Sequence, residues 1–104
     1  AEREVRALMS GVDRPTALVS LNNSMTIGAL KAVRGLGLSI PADVAFVCFD
    51  DFEWSDLFEP RLTAAAQDVE TIGATAAELL LARIRGHDGA PQRIYVPTTF
   101  HHRN

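Results

Sequence analysis

At 104 residues the chain has room for one domain with a modest core, and 47% hydrophobic with 22% charged residues is ordinary for a soluble globular protein. Lys and Arg number 10 against 13 Asp and Glu, a net charge of −3 with no basic face, which argues against direct contact of these residues with nucleic acid. No apolar run approaches the roughly 18 to 20 residues that span a bilayer, the amino terminus lacks a signal-like segment, and the single Cys48 cannot form an internal disulfide, so a cytoplasmic location is expected.

Glu2 to Met9 carries Val5, Leu8 and Met9 at helical spacing and stops before Gly11. Pro15 pushes its neighbour out of helical geometry and leads into an apolar strand, Thr16 to Leu21. Asn22 or Asn23 can cap the helix that follows. On that helix Met25, Ala29, Ala32, Val33 and Leu36 fall within about 100° of arc and form the expected sheet-facing stripe. Ile27 and Leu30 are expected on the opposite side, beside Lys31 and Arg34. An exposed aliphatic pair occurs on ordinary surfaces, and the functional alternative is a partner interface. Gly37 is the candidate for the left-handed position past the helix end. A second strand, Val44 to Phe49, runs into Asp50 and Asp51.

A strand, a helix and a strand without a hairpin signal between them predict a right-handed βαβ unit with parallel strands. The fold class expected is therefore α/β, a parallel sheet with flanking helices. In such sheets small ligands bind outside the carboxyl ends of the strands, so Asn22, Asn23, Asp50 and Asp51 should share one polar rim.

Next come Phe52, Trp54 and Phe58, which would suit a sugar or base stacking beside the carboxylates, although for each alone cover of the sheet edge is the favoured reading. Pro60 to Ala66 reads as a third short extended stretch, ending at Gln67 and Asp68. Asp68 can cap a helix to about Arg85, with Val69, Ile72, Gly73, Ala76 and Leu80 as its buried stripe and Gly73 allowing close packing. Arg93 to Val96 is expected as a last strand. His101 and His102 read as a solvated tail, so no metal site and no cofactor is expected. An enzyme built on Asp50 and Asp51 is disfavoured, because neighbours in an extended chain point to opposite faces and no nucleophile with a His base accompanies them.

The run Pro15-Thr16-Ala17, Asn22-Asn23, Ile27-Gly28-Ala29-Leu30-Lys31-Ala32, Leu36-Gly37-Leu38-Ser39-Ile40-Pro41-Ala42-Asp43-Val44 and Phe49-Asp50-Asp51 resembles the effector-binding domain of LacI-family transcriptional regulators. Pro60-Arg61-Leu62-Thr63, Gln67 and the segment from Val96 to Arg103 extend the likeness over nearly the whole chain. The resemblance implies a periplasmic-binding-protein-like domain of two α/β lobes, of which residues 1–104 would be the carboxyl-terminal part, without the DNA-binding head and most of the other lobe. It implies a small-molecule effector, a sugar or a nucleobase, touching Asn22, Asp50 and Gln67; Trp54 is added to the expected ligand contacts from its own place beside the acidic pair. It further implies a homodimer through Ile27, Leu30 and Phe58, and operator DNA bound only by the missing head, with no membrane. Asn23 departs from the family's usual acid, and Cys48 from its usual Gly. A competing expectation is a solute-binding receptor for sugar uptake, which shares the two-lobed architecture.

Overall fold

The computed structural model describes residues 1–104 except Glu53, Trp54 and Asp56. Seven elements follow one another: α1 (Glu2–Met9), β1 (Ala17–Ser20), α2 (Asn23–Gly35), β2 (Ala45–Phe49), β3 (Thr63–Ala66), α3 (Val69–Ile84) and β4 (Thr99–His101). They divide between two compact units, residues 1–66 with 100–104, and residues 67–99.

The first unit holds the sheet, ordered β1-β2-β3-β4, with β1 parallel to β2 and β2 parallel to β3. Alternation along the strands sends Leu18 and Ser20, then Phe46 and Cys48, to the face that α2 covers, and leaves Val19 exposed on the other. Ala29, Leu30, Phe46, Cys48, Leu62 and Ala64 form one buried cluster, and Met9, Val33 and Val44 a second; Val5, Leu18 and Ile40 pack against both.

α1 and α2 meet at close range. A Cβ added to Gly28 would lie 2.9 Å from the Ala1 Cβ and 3.0 Å from the Glu2 nitrogen, so only glycine lets the two helices approach this nearly. α2 ends as its sequence predicts, with Gly37 at φ +70° and the Leu38 N–H reaching back to the Val33 carbonyl at 3.1 Å.

The face of α2 requires a correction. Leu30, expected outward, is only 5% exposed, while Met25, expected inward, is 42% exposed. The buried set is Thr26, Ala29, Leu30, Ala32 and Val33. Its centre is rotated from the apolar stripe because polar Thr26 is buried, its hydroxyl satisfied locally, and the arc then extends to Leu30, about 40° further round.

In the second unit Asp68 caps α3, its Oδ1 accepting from the Thr71 N–H at 2.9 Å and its Oδ2 from the Thr71 hydroxyl at 2.7 Å. The stripe predicted to be buried is not: no residue of α3 is buried, and Val69 and Leu80 are largely exposed. Nothing lies within 4 Å of a Cβ built on Gly73, so the close packing expected there is absent. The last strand is also displaced from the prediction. Arg93 to Val96 is irregular, and Ile94, Tyr95 and Val96 line a groove with Ile72, Ala76 and Leu79 of α3. The position next to β3 is taken instead by Thr99–His101. An apolar run becomes a strand only where an edge is open to its hydrogen bonds, and local sequence does not specify that edge.

Candidate functional site

β1 and β2 lie side by side with Ser20 in register with Cys48. The residues that follow each strand therefore leave the sheet along one edge, and Asn22 and Asp50 each lie two positions beyond that pair.

Asn22 is fixed by the helix it starts. Its Oδ1 accepts from the Met25 N–H at 2.9 Å, which caps α2. Its carbonyl accepts from the Thr26 N–H at 2.9 Å and the Thr26 hydroxyl at 3.0 Å. The cap occupies the side-chain oxygen and leaves the amide NH2 as the group that can donate to a ligand. Asn23 differs: its Oδ1 is buried and has no hydrogen-bond partner among the described residues. A neutral amide is cheaper to hold in that position than the carboxylate expected there in the family, which would be a buried charge.

Asp50 has φ +75°, the left-handed region that residues other than glycine seldom adopt. Its N–H donates to the Ala65 carbonyl at 2.9 Å, tying the turn after β2 to β3. Asp51 belongs to a different structure. Arg103 grips it with two parallel bonds, Nη1 to Oδ1 at 2.9 Å and Nη2 to Oδ2 at 2.7 Å. Both side chains are mostly buried, at 17% and 18% exposure. The bonds from Arg103 hold the Asp51 carboxyl below its usual pKa against the opposing effect of burial, with the Ser55 hydroxyl contributing. Asp51 is thus an ionised group committed to the fold, and the two acids do not form an acid-base pair.

Arg103 and Asn104 organise this region, and local sequence patterns gave no notice of them. Arg103 Nη1 also donates to the Leu62 carbonyl at 3.2 Å. The Asn104 side chain bridges two strands, accepting from the Thr63 N–H at 2.8 Å and donating to the Phe46 carbonyl at 3.1 Å. The Thr63 hydroxyl accepts from the N–H groups of both Arg103 and Asn104 at 3.1 Å.

Of the other predicted residues, Gln67 is exposed and opens the second unit, and Trp54 lies outside the described residues. Ile27 is half-buried. Phe58, also half-buried, packs against the core cluster that contains Leu30, meets Phe52 edge-on at 6.3 Å between ring centroids, and lies under the Arg34 guanidinium at 5.2 Å. Leu30, buried in that cluster, is a core residue and not an outward contact. Among the described residues no three His, Cys, Asp or Glu side chains group to hold a metal, and no helix is long and apolar enough to cross a membrane. Cys48 is buried, and burial pushes its thiol pKa up.

Residues 1–104 match the family model of the periplasmic binding protein-like domain. A lactose operon repressor of Rhizobium radiobacter is 34% identical over 96 residues, 92% of this chain and 84% of that one. The chain belongs to the LacI-type periplasmic-binding-protein-like family. Among solved LacI-type structures, a transcriptional regulator from Enterococcus faecium with bound ribose aligns over 98% of this chain and 37% of its own, with a TM-score of 0.86 and 26% identity. The lac repressor dimer bound to operator and the anti-inducer ONPF aligns over 98% of this chain and 31% of its own, with a TM-score of 0.82 and 28% identity. The chain spans less than half the length of other curated relatives it matches, 46% of one and 26% of another. Its α/β sheet with flanking helices is accordingly a LacI-type effector-domain fold.

Proposed function

We propose that this chain is part of the effector-binding domain of a LacI-type transcriptional regulator, and that its ligand is a sugar. The observation that carries the reading is the parallel register of β1 and β2, whose carboxyl ends are followed by Asn22 and Asp50, an amide donor and a carboxylate acceptor of the kind that polyhydroxylated ligands need. The likeness to a ribose-bound relative supports the ligand class. By their place in the sequence, Gln67 and Trp54 are further candidate contacts of that ligand. Ile27 and Phe58 belong to a face for a second copy, by analogy with the lac repressor dimer. Residues 1–104 stand at the carboxyl-terminal end of the domain, with operator DNA bound by a separate head and the whole acting in the cytoplasm. Ligand closure of two lobes would then bias the dimer and its DNA affinity, with a coupling of about 1 to 3 kcal/mol.

The test is calorimetry on the full native protein with D-ribose and a panel of pentoses and hexoses. A sugar should bind, and Asp50→Asn should weaken it by about tenfold or more, since a hydrogen bond to a charged group contributes roughly 1.5 to 3 kcal/mol. Unchanged binding in Asp50→Asn would remove Asp50 from the site. Binding of a purine base with no response to sugars would overturn the ligand class.

A further inference from the structure

The turn at Asp50 is held from both sides. On one side its own N–H is bonded to the Ala65 carbonyl. On the other, the next residue is clamped by Arg103 through two bonds whose geometry fixes the orientation of the Asp51 carboxylate as well as its distance. A left-handed aspartate persists only where its surroundings over-determine it.

Arg103 is itself anchored. Its guanidinium reaches the Leu62 carbonyl, its N–H reaches the Thr63 hydroxyl, and the adjacent Asn104 amide ties Phe46 to Thr63. A continuous set of contacts therefore runs from the start of β3 to the rim, closing 52 positions of chain at the Asp51–Arg103 pair.

We propose that Arg103 is a positioning residue for the rim: by gripping Asp51 it fixes the left-handed turn at Asp50 and so sets where the Asp50 carboxylate stands. The role assigned to Asp50 rests on the sugar-binding reading, whereas the control of its turn by Arg103 does not. Planarity matters to the mechanism. A lysine at 103 could satisfy one oxygen of Asp51 but could not fix the plane of the carboxylate.

The experiment is residue-resolved amide hydrogen exchange on the full native protein and on Arg103→Ala, Arg103→Lys and Asp51→Asn, followed by D-ribose titration of the same samples. The protection of the Asp50 amide should fall by about tenfold or more in Arg103→Ala and Asp51→Asn, and by less in Arg103→Lys, while the Phe46 and Cys48 amides of β2 keep theirs. Ribose affinity should weaken in the same order. Unchanged protection at Asp50, or a loss shared equally by the β2 amides in every variant, would overturn the proposal. A selective loss at Asp50 in a protein that binds no ribose would uphold the positioning and overturn only the ligand class.

Discussion

The hydroxyls of Ser20 and Thr26 lie 2.7 Å apart, both buried, directly beneath the Asn22 cap. The Thr26 hydroxyl donates to the Asn22 carbonyl at 3.0 Å, so Ser20 is the donor within the pair, and the last residue of β1 is locked to the first turn of α2. Replacing Thr26 with Val keeps the shape and strands the Ser20 hydroxyl. Denaturant unfolding should show a loss of about 1 to 3 kcal/mol. Adding Ser20→Ala to Thr26→Val should recover part of it, because removing both partners leaves no buried group unsatisfied.

The corrected face of α2 makes a second expectation. Leu30→Ala should cost roughly 2 to 5 kcal/mol, as for any large side chain removed from a packed core. Met25→Ala, at a position 42% exposed, should cost less than about 1 kcal/mol. Thermal unfolding of the two variants decides the matter, and equal losses would restore the stripe read from the sequence.

That contrast shows what could be read from the sequence. α1 occupies the residues expected, and β1, α2 and β2 start and stop within a residue or two of expectation, because periodicity, the Asn22 cap and Gly37 are local signals. The parallel pairing of the two strands that lead to Asn22 and Asp50 followed from the same logic, since strands joined by a crossover helix run the same way. The face of α2 differs from the apolar stripe because polar Thr26 is buried, its hydroxyl satisfied internally by Ser20 and the Asn22 carbonyl, and apolar periodicity alone does not register a buried hydroxyl. β4 and the Arg103 clamp were out of reach because they depend on which distant partner is available. No periodicity relates Arg103 to Asp51, or Asn104 to Phe46.

Two glycines should respond oppositely to alanine. At Gly28 the new Cβ meets the Ala1 Cβ at 2.9 Å and a backbone nitrogen at 3.0 Å, so α1 must move, and a loss of about 1 to 3 kcal/mol is expected. At Gly73, inside α3, nothing lies within 4 Å, and alanine should strengthen the helix by up to about 1 kcal/mol. Far-UV circular dichroism through thermal melts reads both signs. A stabilised Gly28→Ala variant would contradict the close helix crossing.

The Asp51–Arg103 pair carries a pH dependence whose sign is fixed. The folded carboxyl is held below its ordinary pKa, first by its bonds to Arg103. Its contribution to stability is therefore complete above the unfolded value, about 3.9. It is lost as the pH falls from there through the lower folded value. The stability gap between the native protein and Asp51→Asn should be widest near neutral pH and shrink on acidification to roughly pH 2. Urea midpoints measured at both ends test this, and a gap that does not change with pH would mean that the charge on Asp51 is not what stabilises the clamp.

Asp50 occupies a conformation that a glycine would adopt with less strain. At φ +75° a non-glycine residue stores on the order of 1 to 3 kcal/mol, with aspartate at the lower end because it tolerates the left-handed region. Against this, glycine loses about 0.5 to 1 kcal/mol more backbone entropy on folding. Asp50→Gly should therefore gain at most about 1 kcal/mol from its backbone conformation, less what the side chain's own contacts contribute, whereas β-branched Asp50→Val should fall below the native protein. If the carboxylate serves the ligand, Asp50→Gly should also lose sugar affinity while its melting temperature holds or rises, the separation expected where a strained residue is kept for function. A parallel fall in stability and affinity would instead make Asp50 a structural residue whose strain is relieved by contacts of its own side chain.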